Sequence, residues 1–527
     1  MTVNCVSFLV FLAFLTVIYY IIRPKYQWIC LLVASCAFYA LAGTTVFAYV
    51  LITCVSTYAA VRWMESLDLE LAKHFAMCGE GLSLQDKKAQ KARTKFQKKK
   101  ILIGVLVLNI GILILTKYCD FLIGNLNSVL GIFGILGVNR LGLAAPLGIS
   151  YYTLQSMGYV LDVYKGKCRP EQNFFKSSLF IIFFPQMTQG PIGRFSDLAP
   201  QLFAPHSFSY ANLSMGCQRM LWGFFKKSVI ADRLKPVADE IFGNYSQYGG
   251  MTLFLGCVYL SVQIYADFSG YMDIVSGASE ILGIRLAENF RRPFFSCSLA
   301  EYWRRWHITL SSWFRDYLFY PLSISKWAVK FGKLGKRHFG VRIGKLFPSV
   351  FALFIVWFST GLWHDSSWRY ILWGVANGAV IIGAMWMEPW FNRAKNLLHI
   401  RDSNPFWKLF CILRTFLLVC FLKVFPGPPD TYGTLVVIRK LFTDFRLSLS
   451  YDAFFPGLKQ EHLKFISFGL VIFFLVSLIQ EHTPIRESLA RRPLAVRWFC
   501  YFLLLGSILI MGAFEISMVG GFAYAQY

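Results

Sequence analysis

Residues 347–369 read FPSVFALFIVWFSTGLWHDSSWR. The run up to Trp363 carries no charge. Built as a helix, it reaches about 25 Å into a hydrocarbon core of roughly 30 Å. At its far end it presents Trp363, His364 and Asp365. A lone histidine after an apolar helix has a bland use, as a hydrogen-bonded structural residue or a helix-end cap. It also has a chemical use. Imidazole, with an ordinary pKa of about 6.5, can take a proton from a hydroxyl near neutrality. Asp365 is a candidate for orienting the ring, although adjacent helical residues face different ways.

Similar runs recur from end to end. Of 527 residues, 56% are hydrophobic and 15% charged, against about 45–50% and 25% in soluble domains. This excludes an ordinary soluble fold. Candidate spans fall at about 5–22, 27–43, 45–64, 101–117, 120–138, 143–163, 174–190, 211–231, 252–283, 306–322, 347–363, 368–388, 406–425, 464–480 and 497–518. Several are short or interrupted by Gly or Pro, as re-entrant segments are. The expected fold is all-α, one polytopic membrane body with 11–13 crossings.

The net charge of +25 sits in clusters between spans. Residues 87–100 read KKAQKARTKFQKKK, and residues 326–345 hold seven further Lys or Arg. Both read as cytoplasmic loops, 87–100 and 323–346, beside anionic lipid. Nucleic-acid binding lacks any supporting module. Arg23 and Lys25 follow the first span and place the N-terminus outside. The first apolar run, 6–22, reads as a retained span. Counting from the basic loop at 323–346, His364 falls toward the outer half of the membrane and His307 toward the cytoplasmic half. Thirteen scattered cysteines, without a C-x-x-C pair, suggest neither a disulfide framework nor a metal site.

Three more segments are polar where the chain is otherwise apolar. Glu301 to Tyr320 contains Trp303, Arg304, Arg305, Trp306, His307 and Ser311, with no Gly and no Pro before the end. It reads as one helix, with His307 and Ser311 on a face shared with Trp303. An interfacial helix with Trp anchors and snorkelling Arg is the bland alternative. Residues 184–194 contain Gln186, Gln189 and two prolines. A helix broken there should line a cavity. Asp267 and Asp273 lie in an apolar context and need partners, from nearby Arg or helix N-termini. Structural ion pairing is their favoured role. No G-x-S-x-G elbow, catalytic Cys–His arrangement, H-E-x-x-H or Walker A motif is present. Direct transfer from a thioester to a hydroxyl needs none of these. It needs a base, a place for the oxyanion and a path for each substrate.

At these residues the chain resembles the membrane-bound O-acyltransferase family, in the branch of the alginate O-acetyltransferase membrane subunit and the teichoic-acid D-alanyl transfer protein. The resemblance runs through Ser7–Leu12, Ala34–Tyr39, Pro146–Gln155, Phe184–Ile192, Lys226 and Lys227, Tyr265–Asp273, Glu288–Phe290, Trp303–Ser311, Trp363 with His364, and Gly521–Tyr527. The W-R-R-W-H block with the later W-H is its most specific part. It implies that His364 is the catalytic histidine and His307 the second motif histidine. It implies a funnel between the membrane faces, a cytoplasmic donor and an external hydroxyl acceptor. Two departures leave the acetyl-versus-aminoacyl choice open: Ser323 to Lys326 where Gly-Gly-Asn is the pattern, and Asp365 where Gly is.

The expected function is an O-acyltransferase that moves acetyl or D-alanyl from a thioester donor to a cell-envelope polysaccharide or teichoic acid. The donor is acetyl-CoA or an acyl carrier protein, with no bound cofactor. Candidate substrate-binding residues are Arg304, Arg305, Ser311, Trp303, Trp363, Gln186, Gln189 and Asp267. Expected partners are membrane lipid, the donor or its carrier, and an extracytoplasmic acyltransferase, in a bacterial plasma membrane. Two other readings compete. A proton-coupled transporter or flippase would use Asp267, Asp273, His307 and Asp316 as a relay, but the chain shows no internal repeat. A non-catalytic scaffold would use the basic loops to dock partners.

Overall fold

A computed structural model describes residues 6–40, 44–78, 82–143, 146–447 and 450–514. The terminal stretch from Gly521 lies outside the described residues. Within them the fold is helical, and an isolated bridge joins Phe290 to Trp306. Among the described residues, eight helices are long and apolar enough to cross a membrane, and a shorter apolar helix, Val6–Ile21, precedes them. Their outward faces keep large apolar groups exposed, such as Phe502, Leu509 and Ile510. Water would penalise such faces, and lipid does not. The protein is a multi-pass membrane protein.

Two of the expected segments are joined in the structure. The spans expected at 101–117 and 120–138 form one continuous run, Leu84–Ile132, through a π-helical turn at Ile114–Tyr118. The basic cluster 87–100 is the first part of that run and not a loop. Its Lys, Arg, Ala and Gln are good helix formers. Ser83 starts it, accepting a hydrogen bond from the Asp86 amide. The second basic cluster is also helical, over Lys326–Gly344, and bends at Gly340, where φ is 78°. The helix Thr431–Thr443, capped by Asp430, falls outside every expected span.

Packing divides the chain into two units. The first comprises Met1–Leu213 and Ala278–Ala287. Within it, Ser35 Oγ accepts from the Phe184 amide at 3.1 Å, and Tyr20 donates to the Ile281 carbonyl at 2.7 Å. The second comprises Ser214–Gly277 and Glu288–Tyr527 and holds both motif histidines. Its core is aromatic, with Tyr265, Phe268, Phe290 and Trp306 in mutual ring contact.

Four buried or half-buried carboxylates in the second unit are paired with cations. Lys227 Nζ lies 2.7 Å from both Asp267 and Asp232. Lys226 Nζ lies 2.7 Å from Asp273, which also receives Arg219 at 2.9 Å. The expected partners were arginines or helix ends, and the main ones here are two consecutive lysines on a π-helical turn, Lys226–Ala231. Nearer the surface, Glu481 joins Arg292 at 2.7 Å and Arg305 at 3.1 Å. Burial pulls the Glu481 carboxyl upward, but its hydrogen bonds and charge pairing with the two arginines outweigh this and hold it below the usual range. A depressed carboxyl stabilises the fold above its unfolded pKa, and the contribution fades as pH falls through the folded value. Glu481→Gln should therefore lower the melting midpoint in detergent at neutral pH by a few degrees. The gap to wild type should close on acidification below about pH 4. A gap that widens in acid would contradict this.

Candidate active site

The helix Phe347–His364 ends at the histidine, and Asp365 leaves it in an extended conformation. The next helix, Trp368–Leu397, returns against it. Small residues make the close approach possible. A Cβ on Gly361 would lie 2.4 Å from the Tyr370 carbonyl oxygen, and one on Gly374 would lie 2.4 Å from that of Trp357. Backbones in that contact leave no room for a side chain. The pairing sets the His364 ring 5.1 Å from Trp373, 6.4 Å from Tyr370 and 5.0 Å from Trp363, centre to centre. His364 is 3% exposed.

Asp365 does not orient the histidine. Its carboxylate accepts from Ser367 Oγ at 2.7 Å and faces Arg369 at 3.9 Å. The extended backbone after the helix end turns it toward the start of the next helix, where a negative charge is favourable.

His307 is reached by a break that the sequence pattern hides. Instead of one helix over 301–320, Leu299–Arg305 and Ile308–Phe314 are separate. His307 lies between them in the left-handed region, at φ 45° and ψ 53°. Such a conformation costs a non-glycine residue about 1–3 kcal/mol and persists only where its surroundings impose it. The segment around Asn289 does so. The Ile308 amide donates to the Asn289 carbonyl at 3.0 Å, and the Arg291 amide donates to the Arg305 carbonyl at 2.9 Å. Asn289 Oδ1 accepts from the Thr309 amide and hydroxyl, each at 3.0 Å. The break also ends the shared face expected of Trp303, His307 and Ser311. Ser311 Oγ instead donates to the Trp306 carbonyl at 3.4 Å, and Trp303 Nε1 donates to Asn377 at 3.2 Å.

The same network assigns the proton on His307. A backbone amide only donates, so the Asn289 atom facing Thr309 is the oxygen. His307 Nδ1 lies 3.3 Å from that oxygen and therefore carries the hydrogen, which leaves the lone pair on Nε2. His307 is 1% exposed, its ring 4.9 Å from Phe268 and 6.0 Å from Trp363. Both motif imidazoles thus border one indole. Asn289→Ala would strand the Thr309 amide, at about 1–3 kcal/mol, and release the His307 tautomer. The reaction rate per folded molecule should fall more than tenfold. An unchanged rate per folded molecule would remove Asn289 from the site.

The other candidates are placed as follows. Arg305 is held by Glu301 at 2.8 Å and by Glu481, whereas Arg304 is exposed. Asp267 is 1% exposed and bound to Lys227, the placement of a structural ion pair. Asp316 pairs with Arg315 at 2.9 Å. The carboxylates that a proton relay would use are therefore each held by a cation. In the first unit, Gln186 Nε2 donates to the Pro191 carbonyl at 2.6 Å and Gln155 donates to Gln186 Oε1 at 3.3 Å, which fixes the broken segment. Gln189 is fully buried, and neither amide atom has a hydrogen-bond partner among the described residues. Asn289 belongs to the Glu288–Phe290 stretch of the resemblance, where no local feature marks its role. Asn377 and Trp373 lie in an apolar run with nothing local to mark them as part of the site.

A family model described as MBOAT, membrane-bound O-acyltransferase family, matches residues 172–422. A protein named "Probable alginate O-acetylase" in Pseudomonas putida is 33% identical over 389 residues, covering 74% of this chain and 69% of that protein. The chain belongs to the membrane-bound O-acyltransferase family. Among further relatives of this acyltransferase, the peptidoglycan O-acetyltransferase of Helicobacter pylori is 30% identical, over 54% of this chain and 55% of that one. The teichoic acid D-alanyltransferase of Bacillus subtilis is 28% identical, over 54% of this chain and 69% of that one. The chain spans between about half and just over two thirds of the length of these relatives. The matched region contains the histidine pair, Asn289 and the Lys226–Lys227 turn.

Proposed function

We propose that this membrane-bound O-acyltransferase moves an acyl group, acetyl in the first place, from a cytoplasmic thioester to hydroxyls of an extracytoplasmic polysaccharide. One observation carries the reading: two buried imidazoles border one indole, in an enclosure built from aromatic rings. His364 serves as the base. It takes the proton of the acceptor hydroxyl as the oxygen attacks the acyl carbon, and gives it to the departing thiolate. The C–O bond forms, the C–S bond breaks, and no covalent enzyme intermediate is needed. With its proton on Nδ1, His307 offers a lone pair at Nε2 to a neighbouring hydroxyl of the acceptor sugar and so aims the reacting oxygen. A site that excludes water strengthens both interactions and limits hydrolysis of the thioester.

The donor is acetyl-CoA or an acylated carrier protein, which the exposed Arg304 and the basic helices would attract from the cytoplasm. The fully buried Gln189 amide is a candidate to bind a substrate oxygen or hydroxyl, since a buried amide otherwise finds a partner. A bacterial plasma membrane, an N-terminus outside and an extracytoplasmic acyltransferase that completes the modification belong to the same reading. The names of the relatives support an envelope polymer as acceptor. The test is mass analysis of envelope polysaccharides from cells with and without the protein. An ester mass that disappears with the protein is expected. Identical ester content in both would overturn the function.

A further inference from the structure

The helix Pro405–Phe421 runs into a single tight turn, Leu422–Val424. This turn brings Lys423 into the core of the second unit, where the side chain is nine-tenths buried. Its Nζ lies 5.8 Å from the ring centre of Trp306 and 5.7 Å from that of Trp373. Among the described residues it forms no ion pair and no hydrogen bond. The other two buried lysines of this unit each meet a carboxylate at 2.7 Å. Lys423 is therefore an exception to the rule that a buried charge is paired. Two indole faces hold its ammonium by cation–π attraction. They are the rings beside the motif histidines: Trp306 precedes His307 in the chain, and Trp373 touches the His364 ring.

Relatives of this chain are named for two kinds of acyl group, one neutral and one bearing an amine. Their shared chemistry at the ester carbon does not distinguish these groups. A fixed positive charge next to that chemistry does. We propose that Lys423 selects the acyl group: its ammonium admits neutral acyl groups such as acetyl and rejects those carrying a cationic α-amine. The assignment rests on the acyltransferase reading above and names which thioesters the site accepts. A substrate ammonium brought to about 7 Å from Nζ, at an effective dielectric of about 20, would be disfavoured on the order of tens-fold. The same field favours the negative oxygen that develops on the acyl carbon during transfer.

The experiment uses the full-length protein in phosphatidylethanolamine–phosphatidylglycerol vesicles, with a neutral oligosaccharide as acceptor. The donors are lactyl- and alanyl-pantetheine thioesters, matched in shape and differing by a hydroxyl in place of an ammonium, with acetyl-pantetheine beside them. Transfer forms the sugar ester and frees the thiol, and mass spectrometry reads the ester. Wild type is expected to favour lactyl over alanyl tens-fold. Lys423→Met should bring the two rates to within about threefold, and Lys423→Arg should keep the preference. Lys423→Gln takes the place of Lys423→Met if that variant does not accumulate. Equal rates in wild type, or an unchanged ratio in the neutral variants, overturn the assignment alone. No transfer from any thioester overturns the acyltransferase reading, and this assignment with it.

Discussion

His364→Ala should reduce acyl transfer by about 10²- to 10⁴-fold, the usual range for loss of a positioned general base, while the protein still inserts. The helix that carries the residue is fixed elsewhere, by the contacts of Gly361 and Gly374 with the facing backbones. Removal of the ring leaves a cavity beside Trp363 and Trp373 but strands no buried charge. The loss should therefore appear in rate per folded molecule and not in the amount of protein. His307→Ala should behave differently. Its ring is held by Asn289 and packed on Phe268, so part of the effect should appear as lowered stability. The remaining loss should appear mainly in acceptor affinity, as expected for a group that aims the hydroxyl. Retention of at least a tenth of wild-type transfer in His364→Ala would remove the proposed base.

Lys227→Met should have the largest effect on the fold. The substitution leaves Asp267 and Asp232, both buried, without the cation that stands 2.7 Å from each. Breaking a buried pair by removing one partner costs about 3–5 kcal/mol, against a typical total stability of about 5–15 kcal/mol. The variant should accumulate poorly in membranes and melt well below wild type in detergent. Adding Asp267→Asn should restore part of the loss, since one stranded charge is then removed. This rescue separates an ion-pair defect from a packing defect. A Lys227→Met protein with wild-type yield and midpoint would show that the triad contributes nothing to the fold.

The parts of the site that depend on local pattern were legible in the sequence. A charge-free run of helical length, starting after a basic segment, predicts a helix with His364 at its end, and the helix Phe347–His364 ends there. The need of Asp267 and Asp273 for cations follows from burying charge in an apolar context, and both are paired. What remained hidden depends on residues far apart in sequence. No Gly or Pro marks the break at His307, because hydrogen bonds from the Asn289 segment impose it. The neighbouring position of Asp365 suggested a partner for the histidine, but its carboxylate is held by Ser367. The basic clusters read as loops on charge alone, whereas Lys, Arg, Ala and Gln favour helix once a cap such as Ser83 begins it. Lys423 is one charge in an otherwise apolar run, and its significance appears only when Trp306 and Trp373 close over it.

The most direct measurement separates the substrates by a bilayer. Sealed vesicles that contain the full-length protein enclose an oligosaccharide acceptor, and acetyl-CoA is supplied outside. Acetyl ester on the enclosed sugar, formed by wild type and lost with His364→Ala, is the expected result. Ester formed equally with alanine at position 364, or none formed by wild type, would contradict transfer through this imidazole.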